Sequence, residues 1–316
     1  MEPVPSQIDV SIIIVNYNAF DLLDKCLGSL FNFCKGTVNE IFVVDNNSTS
    51  GNIEKLTAKY SGVRLIKNES NIGFAAANNV ALPFVKGKYI LFLNNDTVFR
   101  EDSIKTVYDF AESKTVPVFT GIQLLNSDLS KQESVVEFPG LWNTITENLF
   151  LYKLFAGKKL FDKYWQNRVT FEEPVEVDVI RGAFMFCPSA KIMEMKGFDE
   201  RFFFYSEETD LCKRFKDSGG RVFFNPSTSI IHYGGASADS DLWFKFKNQT
   251  TGKIQFYQKH FRGANFMVLI LFHWIGLVLR GFIFSVVGAV SFNRNTILKG
   301  YYFFRQLFVY PVNRSK

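Results

Sequence analysis

VSIIIVNYN, residues Val10 to Asn18, begins with a six-residue run in which five side chains are β-branched, and it ends in amides. A run that is apolar on both faces reads as a strand buried on both sides of a sheet, and the polar residues behind it read as that strand's end. Beyond it, Leu23, Cys26, Leu27 and Leu30 fall at helical spacing, and Ile41 to Val44 forms a second buried strand closed by Asp45-Asn46-Asn47-Ser48. A helix around Ile53 to Tyr60, a third strand from Val63 to Ile66 and a fourth from Tyr89 to Leu93, closed by Asn94-Asn95-Asp96, continue the alternation. Strand, helix, strand, helix, strand predicts an α/β fold with a mostly parallel sheet flanked by helices. In such sheets ligands bind beyond the carboxyl ends of the strands, so Asn16, Asp45, Asn68 and Asp96 are expected to share one site. No GxGxxG follows the first strand and no GxxxxGK[ST] occurs anywhere, which excludes the dinucleotide fingerprint and the P-loop.

From Thr115 to Asp178 the pattern weakens, and this stretch is expected to be an insertion lining an acceptor surface, with an aromatic helical segment near Leu149 to Trp165. Val177 to Cys187 reads as a strand containing Arg181-Gly182-Ala183. Val222 to Phe224 reads as another, leading through Pro226 to Ile230-Ile231-His232. Pro83 should break the helical pattern that contains it.

GFDERFFFYSEETDLCKRF, residues 197 to 215, carries the most pointed chemistry. Projected as a helix capped by Ser206, it puts Glu208, Leu211, Cys212 and Phe215 on one stripe and Glu207, Asp210, Arg214 and Asp217 on the other, which should face solvent. A carboxylate at the head of an apolar stripe loses water while the helix dipole favours its anion. Glu208 is therefore a candidate base, set against the plainer reading of a first-turn acid that suits the dipole.

The chain is 316 residues long with a net charge of +5, and this balance hides an asymmetry. No Asp or Glu follows Asp241, whereas eleven Lys and Arg do, so the first 241 residues carry −6. An acidic body with a basic, aromatic tail points to an anionic partner, either membrane or nucleic acid. Within the tail, Phe266 to Leu279 and Gly281 to Phe292 are uncharged runs separated by Arg280. Each is shorter than the roughly twenty residues a spanning helix needs, and the two together would put an arginine in hydrocarbon. A hairpin or an in-plane insertion avoids that cost, with Lys259, Arg262, Arg294 and Lys299 flanking it and Tyr301 to Phe304 at the interface. Nucleic acid fits less well, because the cations are interleaved with lipid-like runs. A buried helical pair or a dimer interface is the plainer alternative. Cys26, Cys34, Cys187 and Cys212 show no CxxC pairing and read as reduced structural thiols. The apolar run behind the N-terminal MEPVPSQID is too short for a signal h-region, so a cytoplasmic body is expected.

Seven ordered motifs, SIIIVNYN (11–18), VVDNNS (43–48), NIGFAAANN (71–79), LFLNNDT (91–97), RGAFMF (181–186), GFDERFFFYSEETDLCKR (197–214) and IIHYGGAS (230–237), together resemble family 2 glycosyltransferases of GT-A fold, most of all the rhamnosyltransferase-type branch. The resemblance covers about residues 8 to 240. It implies inverting transfer from a nucleoside-diphosphate sugar, dTDP-rhamnose or a UDP-hexose, to a lipid-linked or polysaccharide hydroxyl; with the tail as read above, a catalytic domain is expected over 1–260 and a membrane-associating helical segment over 261–316, at the cytoplasmic membrane face. A divalent cation, Mg2+ or Mn2+, is implied as cofactor, with Asp96 and His232 as its ligands. Asn94 stands where the family's Asp-x-Asp pattern has its first carboxylate. Asp45 matches the acid that holds base or ribose, although DNNS is also a common loop-starting device. Asn16, Asn71, Gly73, Asn78, Asn95, Arg181 and Gly182 are placed around the donor, and Glu208 is matched to the base, with Glu-Glu in place of the usual Glu-Asp. A sugar-phosphate nucleotidyltransferase and an inactive membrane adaptor that keeps the fold are the alternatives.

Overall fold

The computed structural model describes residues 8–156, 158–161, 169–234 and 242–309. In chain order its elements are β1 (Val10–Asn16), α1 (Phe20–Phe33), β2 (Asn39–Asp45), α2 (Ile53–Thr57), β3 (Val63–Lys67), α3 (Phe74–Ala81), β4 (Tyr89–Asn94), β5 (Thr97–Phe99) and α4 (Ser103–Glu112). There follow β6 (Val118–Leu125), β7 (Val135–Val136), α5 (Leu141–Asn148), α6 (Leu151–Leu154), β8 (Val175–Glu176), β9 (Val179–Ile180), β10 (Phe184–Pro188) and α7 (Ser189–Glu194). The chain closes with α8 (Glu207–Asp217), β11 (Arg221–His232), α9 (Leu242–His260), α10 (Gly263–Val290) and α11 (Arg294–Gln306).

Two compact units emerge, one of Met1–Val136, Thr170–Phe203 and Glu207–Ser237, the other of Glu137–Val169, Phe204–Ser206 and Ala238–Lys316. The division expected at residue 260 does not coincide with this one, because α9 groups with α10 and α11, as does the 137–169 segment.

The first unit is built on a mixed sheet of order β3-β2-β1-β4-β10-β6-β11-β5, with β8 added beside β11. β3, β2, β1 and β4 run parallel, as the alternation requires, and Ile12, Ile13 and Ile14 at their centre are fully buried. Complete burial of each such side chain contributes about 1.5–3 kcal/mol. β10 then enters antiparallel to both β4 and β6, so the parallel half ends there. Some of the chain's 36 phenylalanines fill the two sheet faces: Phe186 stacks on Tyr89, Phe198 meets Phe92 edge-on, and Phe215 tilts against Phe119. All four cysteines are buried and unpaired, and burial pushes the Cys26 and Cys212 thiols up to about 12.

Three expectations need correction here. The supposed insertion from Thr115 to Asp178 contains β6, an eight-residue strand between β10 and β11. Its interior Thr120 and Gly121 dilute the apolar pattern that marks the other strands. Residues 177–187 are two strands: β9 pairs with β7, β10 pairs with β4, and Arg181-Gly182-Ala183 is the step between them. The strand expected over Val222 to Phe224 is longer: it continues through Pro226 to His232 as the twelve-residue β11, with a register shift between Asn225 and Ser229 that accommodates the proline. Pro83 does end α3, and a single 3-10 turn, Leu82–Phe84, follows.

In the second unit α10 is one continuous helix through Arg280, not two halves hinged there. The guanidinium is satisfied from α5, where Asn148 Oδ1 accepts from it at 2.8 Å and the Glu147 carbonyl at 3.1 Å, so the helix has no need to break. The reversal comes at Ser291–Asn293. α11 then runs back antiparallel along α10, close enough that a Cβ on Gly288 would collide with Ile297 and one on Gly281 with Phe304.

Candidate active site

The parallel register sets the strand ends side by side: Asn16 is opposite Asp45, and Val15 is opposite Asn94. Asn16 Nδ2 donates to Asp45 Oδ1 at 3.1 Å, and Asn95 Nδ2 donates to Asn16 Oδ1 at 2.9 Å. Because a carboxylate only accepts, Asp45 dictates which way the Asn16 amide turns, and that leaves the Asn16 oxygen for Asn95. The chain Asp45–Asn16–Asn95 is buried throughout and leads to Asp96. Asp45 also takes the Ser48 hydroxyl at 2.6 Å and the Ser48 amide at 3.0 Å, so the same carboxylate is a loop starter as well.

Asn46 received no role from the sequence, yet it is the hub of the neighbouring loop. Its amide donates to Asn71 Oδ1 at 2.8 Å and to the Gly73 carbonyl at 3.3 Å, while its oxygen accepts from Asn68 Nδ2 and the Ile72 amide, each at 3.1 Å. Asn71 in turn accepts from the Gly73 amide at 3.0 Å. Gly73 has φ 88°, and a Cβ there would lie 2.5 Å from the Phe203 carbonyl oxygen, so packing against Phe203 alone demands glycine. Asn78 is buried on α3, where its amide donates to the Phe74 carbonyl at 2.9 Å and its oxygen has no partner.

At the end of β4, Asp96 Oδ1 is buried without a hydrogen bond and lies 3.3 Å from His232 Nε2. The other imidazole nitrogen, Nδ1, is 2.6 Å from Gln132 Oε1, while Gln132 Nε2 donates to Asn126 Oδ1 and to the His232 carbonyl. With its amide nitrogen so engaged, Gln132 presents an acceptor to Nδ1, which therefore carries the proton and leaves the Nε2 lone pair facing Asp96. Two acceptors directed at each other suit a shared cation, so this pair fits a divalent metal. Among the described residues no group of three or more His, Cys, Asp or Glu forms a fuller ligand set. Asn94 Nδ2 stands 3.5 Å from the same Nε2. Part of the motif that carries His232, residues 235–237, lies outside the described residues.

The Asn94 amide donates to the Ala183 carbonyl at 3.0 Å, which seats the Arg181-Gly182-Ala183 step against the end of β4. Gly182 is where Glu208 arrives: a Cβ built on it would rest 3.9 Å from the Glu208 Cβ, an ordinary contact. Arg181 is held by an ion pair to Glu133 and donates its amide to the Ser134 carbonyl at 3.0 Å. Glu208 is half-buried, and its Oε2 has no partner. Within a single unit, Glu208 thus lies beside Gly182, and Ala183, Asn94, His232 and Asp96 are joined in turn by close polar contacts.

The helix that carries Glu208 departs from its projection in two ways. The stripe expected to face solvent is largely buried: Asp210 is fully enclosed and Glu207 nearly so. Asp210 is paired at 2.7 Å with Arg214, whose guanidinium also binds the Met195 and Gly197 carbonyls, so a buried ion pair anchors that side of the helix. Glu207 Oε2 has no partner, and burial together with the neighbouring Glu208 charge raises its pKa well above the usual carboxylate range. Ser206, the expected cap, has φ 72°, far from the extended backbone of an ordinary N-cap.

The architecture is the GT-A glycosyltransferase fold. A Pyrobaculum calidifontis mannosyltransferase, PcManGT, solved in complex with GDP-Man and Mn2+, aligns with a TM-score of 0.57 at 13% identity, covering 96% of this chain and 88% of that one. GalNAc-T7, solved with UDP, GalNAc and Mn2+, aligns with a TM-score of 0.54 at 15% identity, covering 79% of this chain and 48% of that one. Residues 11–174, more than half the chain, match the model of glycosyl transferase family 2, and the chain belongs to that family. Rhamnosyltransferase WbbL of Escherichia coli K12 is 29% identical over 235 residues, 71% of this chain and 83% of its own length. The N-acetylglucosaminyl-diphospho-decaprenol L-rhamnosyltransferase of Mycobacterium tuberculosis H37Rv is 25% identical over 244 residues, 73% of this chain and 78% of its own. The chain is thus a rhamnosyltransferase-like glycosyltransferase, and the nucleotidyltransferase alternative falls away.

Proposed function

We propose that this enzyme transfers a sugar, with inversion, from a nucleoside-diphosphate donor to a hydroxyl of a lipid-linked or polysaccharide acceptor, in building cell-surface glycan at the cytoplasmic face of the membrane. dTDP-rhamnose is the favoured donor and a UDP-hexose the second. Rhamnosyl transfer to a decaprenol-linked sugar, the activity named for the mycobacterial relative, supports the acceptor class. The observation that carries the reading is the placement of Glu208 beside Gly182, on the step that Asn94 seats against the end of β4, where Asp96 and His232 face each other.

In this reading Asp45, aligned by Asn16 and Asn95, receives the nucleoside, and the loop organised by Asn46 and Asn71 borders it. Arg181 and Gly182 flank the donor sugar. Glu208 Oε2 takes the proton of the acceptor hydroxyl as its oxygen bonds to the anomeric carbon and the bond from that carbon to the diphosphate breaks. One base suffices for such a single in-line displacement. Neither neighbouring acid is placed as Glu208 is: Glu207 is buried, with its pKa raised by burial and by the Glu208 charge, and Asp210 is committed to Arg214. Asp96 and His232 would hold Mg2+ or Mn2+, and a bound cation supplies charge to the departing diphosphate. The basic, aromatic C-terminal segment associates with an anionic membrane surface and so keeps the enzyme beside its acceptor.

A Glu208→Gln variant tests the assignment. It is expected to retain thermal stabilisation by a nucleotide sugar with Mn2+ while transfer drops by about 100-fold or more. Full transfer by the variant removes Glu208 as the base, and the absence of stabilisation of the wild type by any UDP-, GDP- or dTDP-sugar removes the donor assignment.

A further inference from the structure

α10 is 28 residues long, with a mean hydropathy of 2.1 over its most apolar window, and it is long and apolar enough to cross a bilayer. At 1.5 Å per residue it measures about 42 Å. How it is partnered argues against crossing. One side of the helix is occupied within its own unit: Gly276 approaches Asn148 of α5, Arg280 binds Asn148 and the Glu147 carbonyl, and Lys253 of α9 completes an ion-paired cluster with Glu147 at 3.4 Å. A transverse pose would carry this charged cluster into hydrocarbon.

The opposite side is free, and it is apolar along its whole length. Met267, Leu271, Val278, Phe282, Val286 and Val290 are all exposed, with Met267 66% and Phe282 64% accessible. At 3.6 residues per turn they spread over a band about 140° wide, with Ile283 and Val287 exposed beside it. α11 adds exposed Ile297, Leu298 and Tyr301 to the apolar surface, and Phe308 just beyond its end is exposed as well. Packed along α10, α11 also carries Arg294, Lys299 and Arg305, charges that a spanning pose would bring into hydrocarbon. The surrounding charge selects the partner: Arg294, Lys299 and Arg305 are exposed on α11, and no acid follows Asp241 anywhere in the sequence.

We propose that α10 lies in the plane of an anionic bilayer, its Met267-to-Val290 stripe embedded at the boundary between headgroups and acyl chains, and does not cross the membrane. This deepens the membrane association proposed above and depends on it. The full chain is mixed with vesicles of phosphatidylcholine alone or with added phosphatidylglycerol, without nucleotide sugar. The wild type is expected to sediment with the anionic vesicles only. Phe282→Asp, which alters an exposed position, should weaken that binding by about tenfold or more. Fluorophores placed by Met267→Cys and Val290→Cys, at the two ends of the stripe, should be quenched equally and only by lipids brominated near the headgroup.

Deep quenching at one end with none at the other, or a label shielded from an impermeant quencher, means a transverse helix and overturns the proposal. No binding of the wild type to either vesicle overturns the membrane association itself. A dimer that hides the stripe and that Phe282→Asp dissociates assigns this face to a second copy instead. Vesicle binding as expected, with no donor turnover under any condition, leaves the insertion intact and refutes the transferase assignment separately.

Discussion

Gln132 Oε1 lies 2.6 Å from His232 Nδ1 and thereby turns the opposite imidazole nitrogen, as an acceptor, toward the unpartnered Asp96 Oδ1. Gln132 is 100 residues from His232 in sequence, and its own amide is held by Asn126. It thus acts as a positioning residue for the proposed metal pair. Gln132→Ala frees the ring to turn and to change tautomer. The concentration of Mn2+ needed for half-maximal donor binding should rise by about 10–100-fold, the usual effect of losing an outer-shell partner. At saturating Mn2+, transfer should largely recover. An unchanged Mn2+ requirement would contradict this role.

The two glycines placed near the donor should behave in opposite ways. Gly73→Ala puts a Cβ into the Phe203 backbone at a left-handed φ, and should cost more than about 2 kcal/mol or prevent folding. Gly182→Ala meets only ordinary contacts, so its stability should stay within about 0.5 kcal/mol of wild type. Its donor KM, however, should rise, since the added methyl narrows the space beside Glu208. Urea unfolding and donor kinetics measured on both variants separate the packing role from the donor role.

Glu207 ties stability to pH. Its folded pKa lies above its unfolded value, so the folded state binds the extra proton between the two. The stability linked to it is therefore complete below the unfolded value, about 4.5, and is lost as pH rises from there through the folded value. Glu207→Gln removes that loss. The variant's thermal midpoint should exceed the wild type's at pH 8 by more than it does at pH 5, and a constant difference across the range would contradict the assignment.

Arg280→Met tests the anchoring of α10 to α5. The substitution leaves Asn148 Oδ1 and the Glu147 carbonyl without their donor in a largely buried setting, at a cost of about 2–3 kcal/mol. Thermal unfolding of the variant beside Arg280→Lys, which keeps the charge but loses the two-pronged geometry, should rank wild type above Lys and Lys above Met.

Much of the catalytic unit can be read directly from residue order. β-branched runs that end in amides or acids locate β1, β2 and β4, and parallel register then brings Asn16 and Asp45 together without further information. β6 escaped because Thr120 and Gly121 interrupt its apolar signal, although six of its eight residues are buried. Asn46, Gln132 and Glu133 went unassigned for a related reason: each works through a partner brought close by folding, and a lone amide or acid in a loop carries no periodic mark.

Local order along the chain thus determined which residues form strands, which strand ends carry amides and carboxylates, and where the anionic body gives way to a cationic, apolar tail, since all of these follow from side-chain chemistry at short range. Tertiary structure alone decided that β10 runs antiparallel and seats Gly182 beside Glu208, that Asp210 and Glu207 are buried, and that Arg280 sits inside an unbroken helix. The physical reason is desolvation: whether a charge faces water or a distant partner depends on which surfaces meet, and spacing within one helix does not contain that information.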